Sequence, residues 1–149
     1  MNLKQIPDYI PVFGDTNYRG DCAMETAELI GFFELLKKEF PSLHSIATHI
    51  RNEGKRSKFQ GYKQQQEGMN TGASDIIIPC CPPIVIELKR RDHTKSRIEG
   101  NQVAYLSSSH VYGAFACVAL GAVGAIEADR KSTRLNSSHS DRSRMPSSA

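Results

Sequence analysis

Apolar residues recur along this chain at two periods, one helical and one extended. Leu29, Phe32, Phe33, Leu36 and Phe40 form a stripe at helical spacing. They predict a helix over residues 22–40, with Asp21 as its N-cap and Pro41 as its stop. Residues 44–50 alternate in part and predict a short strand. Two β-branched runs, Ile76-Ile77-Ile78 and Ile84-Val85-Ile86-Glu87-Leu88-Lys89, flank Pro79-Cys80-Cys81-Pro82-Pro83. They read as strand, turn and strand. Residues 98–109 predict a second helix, 114–120 a buried strand, and 122–127 the start of a last helix. The order helix-strand-strand-strand-helix-strand predicts an α/β fold with a central mixed sheet flanked by helices. Residues 1–21 read as an irregular lead-in, rich in Pro, Gly, Asp and Asn, and residues 22–129 as one folded domain.

Side chains alternate across a strand, so Glu87 and Lys89 share one face while Ile86 and Leu88 share the other. A hairpin centred on Cys81 sets Ile78 against Ile84, Ile76 against Ile86, and Asp75 against Glu87. Directly opposed residues hold their Cβ atoms roughly 5 Å apart. Two carboxylates that close repel unless a cation or a shared proton intervenes. The expectation is a divalent metal, set against the plainer reading of a strand running out into a charged loop.

Composition and charge change the picture in three places. The net charge of +3 comes from residues 130–149, which hold five basic residues and one acid, so the rest of the chain nets −1. That last stretch has few apolar residues and no period, and the expectation is a disordered tail that cannot dock on a core. It reads either as a basic nucleic-acid arm or as translated sequencing-adapter read-through, which Arg130-Lys131-Ser132-Thr133-Arg134-Leu135-Asn136-Ser137-Ser138-His139 resembles. Within the body, residues 51–97 carry ten basic residues against five acidic ones. This is either a solvated loop or a phosphate-contacting rim around the acid pair. Cys22, Cys80, Cys81 and Cys117 make no Cys-x-x-Cys pair and suit a reduced compartment, and His44, His49, His93 and His110 show no metal spacing. No apolar run reaches the roughly 20 residues of a membrane span, and the first residues lack a signal-peptide apolar core.

The ordered set of motifs resembles the VRR-NUC branch of the PD-(D/E)xK nucleases, of the kind found in phages. A helix acid, Gly72-Ala73-Ser74-Asp75, then Ile86-Glu87-Leu88-Lys89 carry the resemblance. Arg51-Asn52-Glu53-Gly54-Lys55-Arg56-Ser57, Ser96, Gln102, Tyr105-Leu106 and Gly113 extend it. Ser74 stands where the family usually has Pro, and the spacing from Ser96 to Gln102 is longer than the family's. The resemblance implies a restriction-endonuclease-like core and a Mg²⁺-dependent DNA endonuclease, structure-selective for junction, flap or splayed DNA, with Mn²⁺ able to substitute. It implies Asp75, Glu87 and the Leu88 carbonyl as metal ligands. Lys89 would assist at the reacting phosphate, Glu25 would orient water from the first helix, and Gln102 would contact the site. Glu28 is the alternative helix acid, and first-turn dipole stabilisation is the plainer account of either. Asn52, Lys55, Arg56, Lys58, Lys63 and Arg90 are the expected DNA contacts. The partner expected is DNA, with no membrane and a homodimer left open, in the cytoplasm of a bacterial or phage-infected cell. The competing reading is a catalytically inactive nucleic-acid-binding module of the same fold.

Overall fold

The computed structural model describes residues 1–51 and 57–143, with side chains placed through residue 137. Its ordered elements are β1 (Val12–Phe13), α1 (Glu25–Glu39), α2 (Pro41–His44), β2 (Thr48–His49), α3 (Lys58–Gln66) and β3 (Ile76–Ile78), followed by β4 (Ile84–Lys89), α4 (Gly100–Val111), β5 (Phe115–Leu120) and α5 (Gly121–Ser143). The five strands form one sheet in the order β1-β5-β4-β3-β2. Strand β3 runs antiparallel to both β2 and β4, whereas β5 is parallel to both β4 and β1. This is the mixed, helix-flanked sheet that the order of periods implies.

The hairpin register is Ile78↔Ile84, Ile77↔Val85 and Ile76↔Ile86, so the next position along brings Asp75 towards Glu87. Strand β4 is central, and all six of its residues are buried. Its two faces serve different cores. Ile84, Ile86 and Leu88 pack with Phe32 and Leu36 of α1 and with Ala125 and Ile126 of α5. Val85 packs on the opposite face with Val118, Ile98 and Leu106. Burying apolar area of this kind stabilises by about 25 cal/mol per Å².

Several sequence expectations shift. The first helix starts at Glu25, not at residue 22, and Met24 holds the N-cap position without a side-chain cap bond. The reason is Arg90, whose guanidinium donates to the carbonyls of Cys22 at 2.9 Å and Ala23 at 3.0 Å and holds that segment outside the helix. Pro41 ends α1 as expected, yet also opens the short helix α2. The expected strand over 44–50 shrinks to Thr48–His49.

The lead-in is not wholly irregular. Strand β1 pairs with β5, and Ile6 and Ile10 are buried against Val85 and Val118. The Asp92 carboxylate accepts from the Gly20 N–H at 3.0 Å and from the Thr94 hydroxyl at 2.6 Å. Those bonds, Thr94's foremost, hold its pKa down to about 2.

The last helix departs furthest from expectation. It runs on through Ser143, where a disordered tail is expected, and Arg130 bonds Glu39 of α1 through two guanidinium nitrogens. A helix already docked through Ala122, Ala125 and Ile126 carries the following turn on at little extra cost, because propagation is easier than nucleation. The chemistry of its inner face changes at Asp129. Asp129 and Ser132 continue the buried stripe, but among the described residues their side-chain oxygens have no hydrogen-bond partner. The apolar filling that Ala125, Ile126 and Ala128 provide thus stops just short of the adapter-like stretch.

Candidate active site

The site lies where α1, the β2 edge and the ends of β3 and β4 converge. Gly72 allows the approach to β3: a Cβ there would stand 2.3 Å from the Asn101 carbonyl oxygen of α4. The Asp75 carboxylate then accepts from the Leu88 N–H through Oδ2 at 2.8 Å, locking it to β4. Its backbone carbonyl accepts from Ile50 N–H at 2.8 Å and meets His49 Nδ1 at 2.8 Å. Burial raises the Asp75 pKa; the Leu88 N–H and the Lys89 charge oppose that rise without cancelling it.

Glu25 opens α1 and is tied by its Oε1 to the Ser96 hydroxyl at 3.0 Å. Ser96 in turn accepts from the Arg90 N–H at 3.0 Å, so the residues following β4 orient the helix acid. Glu28 is engaged elsewhere. Its Oε2 accepts from the Ala122 N–H at 2.7 Å and caps the first turn of α5. Beside that cap, Gly121 has φ +71°, a conformation that favours glycine.

Glu87 and Lys89 project to the α4 side of the sheet. Glu87 is 1% exposed. Its Oε1 accepts from Lys89 Nζ at 2.9 Å and from Gln102 Nε2 at 2.6 Å. The Gln102 oxygen accepts from the Glu99 N–H at 2.9 Å and from Lys89 Nζ at 3.4 Å. The other carboxylate oxygen, Glu87 Oε2, is buried and unpartnered among the described residues. Burial, and then the nearby Asp75 charge, push the Glu87 pKa up to about 8, outweighing the Lys89 ammonium. The two acids therefore destabilise each other in an enclosed place.

A cleft of about 300 Å³ fronts this arrangement, lined by Glu25, Thr26, Leu29, His49, Arg51, Asp75 and Leu88. Glu25 and Asp75 face it directly, whereas Glu87, Lys89 and Gln102 form a bonded group beside Asp75 and do not line its wall. Among the described residues no group of three or more His, Cys, Asp or Glu side chains is placed to hold a metal. At most two such side chains could serve an ion here, and backbone and water oxygens would have to complete its shell.

No family model matches this chain, and no curated protein does. Among solved structures, a VRR_NUC domain protein superposes with a TM-score of 0.60. The match covers 76% of this chain and 89% of the other at 16% identity. The chain has the VRR-NUC fold. At that identity the likeness shows architecture, an α/β restriction-endonuclease-like core, and roles must come from the residues themselves.

On the VRR-NUC fold the expected DNA contacts scatter. Asn52, Lys55 and Arg56 lie outside the described residues. Lys58 and Lys63 are exposed on α3, a helix in a stretch whose composition reads as a polar loop. Its capping box, Ser57 with Gln60, is a helix start signal, but the near-absence of apolar residues hides it. Arg90 is bonded inward to Cys22 and Ala23 and acts as a clamp on the approach to α1, not as a rim residue. His49 and Arg51 line the cleft; His49 belongs to no motif, and Arg51 opens the motif segment 51–57 without being among the expected DNA contacts. The antiparallel pairing of β2 with β3 carries His49 there.

Proposed function

We infer that this chain is a Mg²⁺-dependent endonuclease that hydrolyses phosphodiester bonds in junction, flap or splayed DNA. The observation that carries the reading is the unpartnered Glu87 Oε2, buried next to a second, half-buried acid, Asp75. Buried polar atoms without partners are rare, and a carboxylate oxygen left open beside another acid fits a hard cation. Mg²⁺ keeps several waters and needs only one or two carboxylates, which matches a donor set of Asp75, Glu87 and the Leu88 carbonyl. When bound, it neutralises phosphate charge and lowers the pKa of a bound water.

The chain's own residues supply the rest. Lys89, held by Glu87 and Gln102, offers an ammonium that can stabilise developing phosphate charge. Glu25, fixed by Ser96, has a carboxylate facing the cleft that can orient a water. Gln102 holds Glu87 in place through its amide and so acts as a positioning residue. Arg51 and His49 line the wall where a phosphate would enter. The four cysteines are free, which fits work in the reducing cytoplasm of a bacterial or phage-infected cell. No helix among the described residues is long and apolar enough to cross a membrane.

The test is a cleavage panel of duplex, flap, splayed and four-way-junction DNA with Mg²⁺, with Mn²⁺ and with EDTA. Cleavage should require the metal and favour branched substrates. Asp75→Ala and Glu87→Ala should abolish it while the circular-dichroism spectrum stays that of the folded protein. Metal-dependent cleavage that survives either substitution rejects the site; DNA binding with no cleavage under any metal favours the inactive module.

A further inference from the structure

Helix α3 is arranged inside out. Its inner side is Gly61 and Gln64, half-buried, with Gln64 lining a groove of about 570 Å³ against the sheet edge. Its large apolar residues point away from the body: Phe59 is 76% exposed and Tyr62 61% exposed. A helix stabilised by its own domain places its rings inward. This one shows two rings one turn apart to solvent, between Lys58 and Lys63, and α3 itself contains no acid. Lys63 meets Glu67 at 3.9 Å across an exposed pair, which in water holds neither side chain firmly.

Two occupants suit exposed rings, a second copy of this chain or a nucleic acid. Area argues against the copy. Two aromatic side chains bury at most roughly 150–250 Å² each, against about 800 Å² per partner in a stable interface. Charge argues for the nucleic acid, since lysines beside aromatic faces match phosphates beside bases. Position is compatible: Arg51 lines both the groove beneath α3 and the cleft of Glu25 and Asp75, so α3 stands beside the cleft with its two rings on the outer side. A paired base presents no free face to a ring, whereas an unpaired one does.

We propose that α3 is a stacking subsite for an unpaired nucleic-acid strand, with Phe59 and Tyr62 stacking on bases and Lys58 and Lys63 contacting phosphates. The subsite deepens the nuclease reading by naming the strand that the cleft receives, and rests on that reading only for where the reacting phosphate lies.

The experiment uses the full chain in EDTA, where no cleavage can occur. Fluorescence anisotropy follows binding to a labelled single strand of about 20 nucleotides, long enough for a site of this kind, and to a blunt duplex of equal length. Phe59→Ala with Tyr62→Ala should weaken single-strand binding about tenfold per ring, and duplex binding less than about threefold. Phe59→Tyr with Tyr62→Phe keeps both rings and should bind like the parent chain. Equal losses on both DNAs, single-strand binding unchanged by the alanine pair, or no single-strand binding by the parent chain each overturn the subsite. So does light scattering in which the alanine pair splits a dimer yet single-strand affinity stays. The nuclease reading fails separately: a parent chain that stacks single strands in EDTA but never cleaves with Mg²⁺ keeps the subsite and loses the enzyme.

Discussion

The substitution Asp129→Asn should flatten the pH dependence of this protein's stability. Asp129 has no exposed surface, and neither carboxylate oxygen has a partner among the described residues. Burial alone pushes its pKa up to about 7 from the ordinary aspartate value of 3.8. The folded state therefore holds this proton more tightly than the unfolded chain does. The stability contributed by the neutral acid is fully present below about pH 4 and is lost as pH rises through about 7. The shift is about three units at 1.36 kcal/mol each, a ceiling of about 4 kcal/mol between pH 4 and pH 8. The substituted amide cannot ionise and escapes that loss, although it is still buried without partners at a cost of about 1–3 kcal/mol. At about 2–4 °C per kcal/mol for a chain of this size, the variant should gain several degrees over the parent at pH 8 and nothing at pH 4. The assay is thermal unfolding followed by circular dichroism from pH 4.5 to 8.5. Glu87 and Asp75 also have raised pKa values and tilt both curves the same way, so the readout is the difference between variant and parent. A difference that stays constant across the range refutes the argument, for it would mean that Asp129 is solvated or paired.

The remaining predictions separate roles that lie close together. Lys89→Ala should lower kcat by about 10² with little change in DNA binding, read by single-turnover cleavage at saturating protein; loss of binding with an intact rate would reject its catalytic role. Glu28→Ala should remove the cap on the Ala122 N–H and lower stability by about 1 kcal/mol, leaving cleavage intact. Glu25→Gln should do the reverse, losing cleavage with an unchanged Tm, and identical behaviour of the two would mean that the helix acids were assigned wrongly. Ser74 is fully buried and its hydroxyl unpartnered among the described residues, so Ser74→Ala should be neutral or stabilise by about 1 kcal/mol in urea unfolding; a large loss would reveal a hidden partner.

Sequence alone determined the elements whose periods are unambiguous. The helical stripe of Leu29, Phe32 and Leu36, the triple-Ile run and the Ile84–Lys89 run specify a helix and a hairpin because period and β-branching act locally. They also specify register: a one-residue slip would turn Ile76 and Ile78 out of the core. The alternation that follows assigns Glu87 and Lys89 to one face. Tertiary structure decided everything that depends on distant partners. Strand β1 exists because β5 offers an edge to pair with, and two residues carry too little pattern to announce that. Arg90 reads as a rim cation and is a clamp because the carbonyls of Cys22 and Ala23, far away in sequence, meet its guanidinium. Glu25 and Glu28 are alike as letters; the nearness of Ser96 to one and of Ala122 to the other assigns them different work. The last helix outruns its own composition, since docking of Ala125 and Ile126 carries the turn of Asp129 and Ser132 into a core that those side chains do not suit. Local chemistry sets what each segment prefers, and the long-range contacts choose which preference prevails.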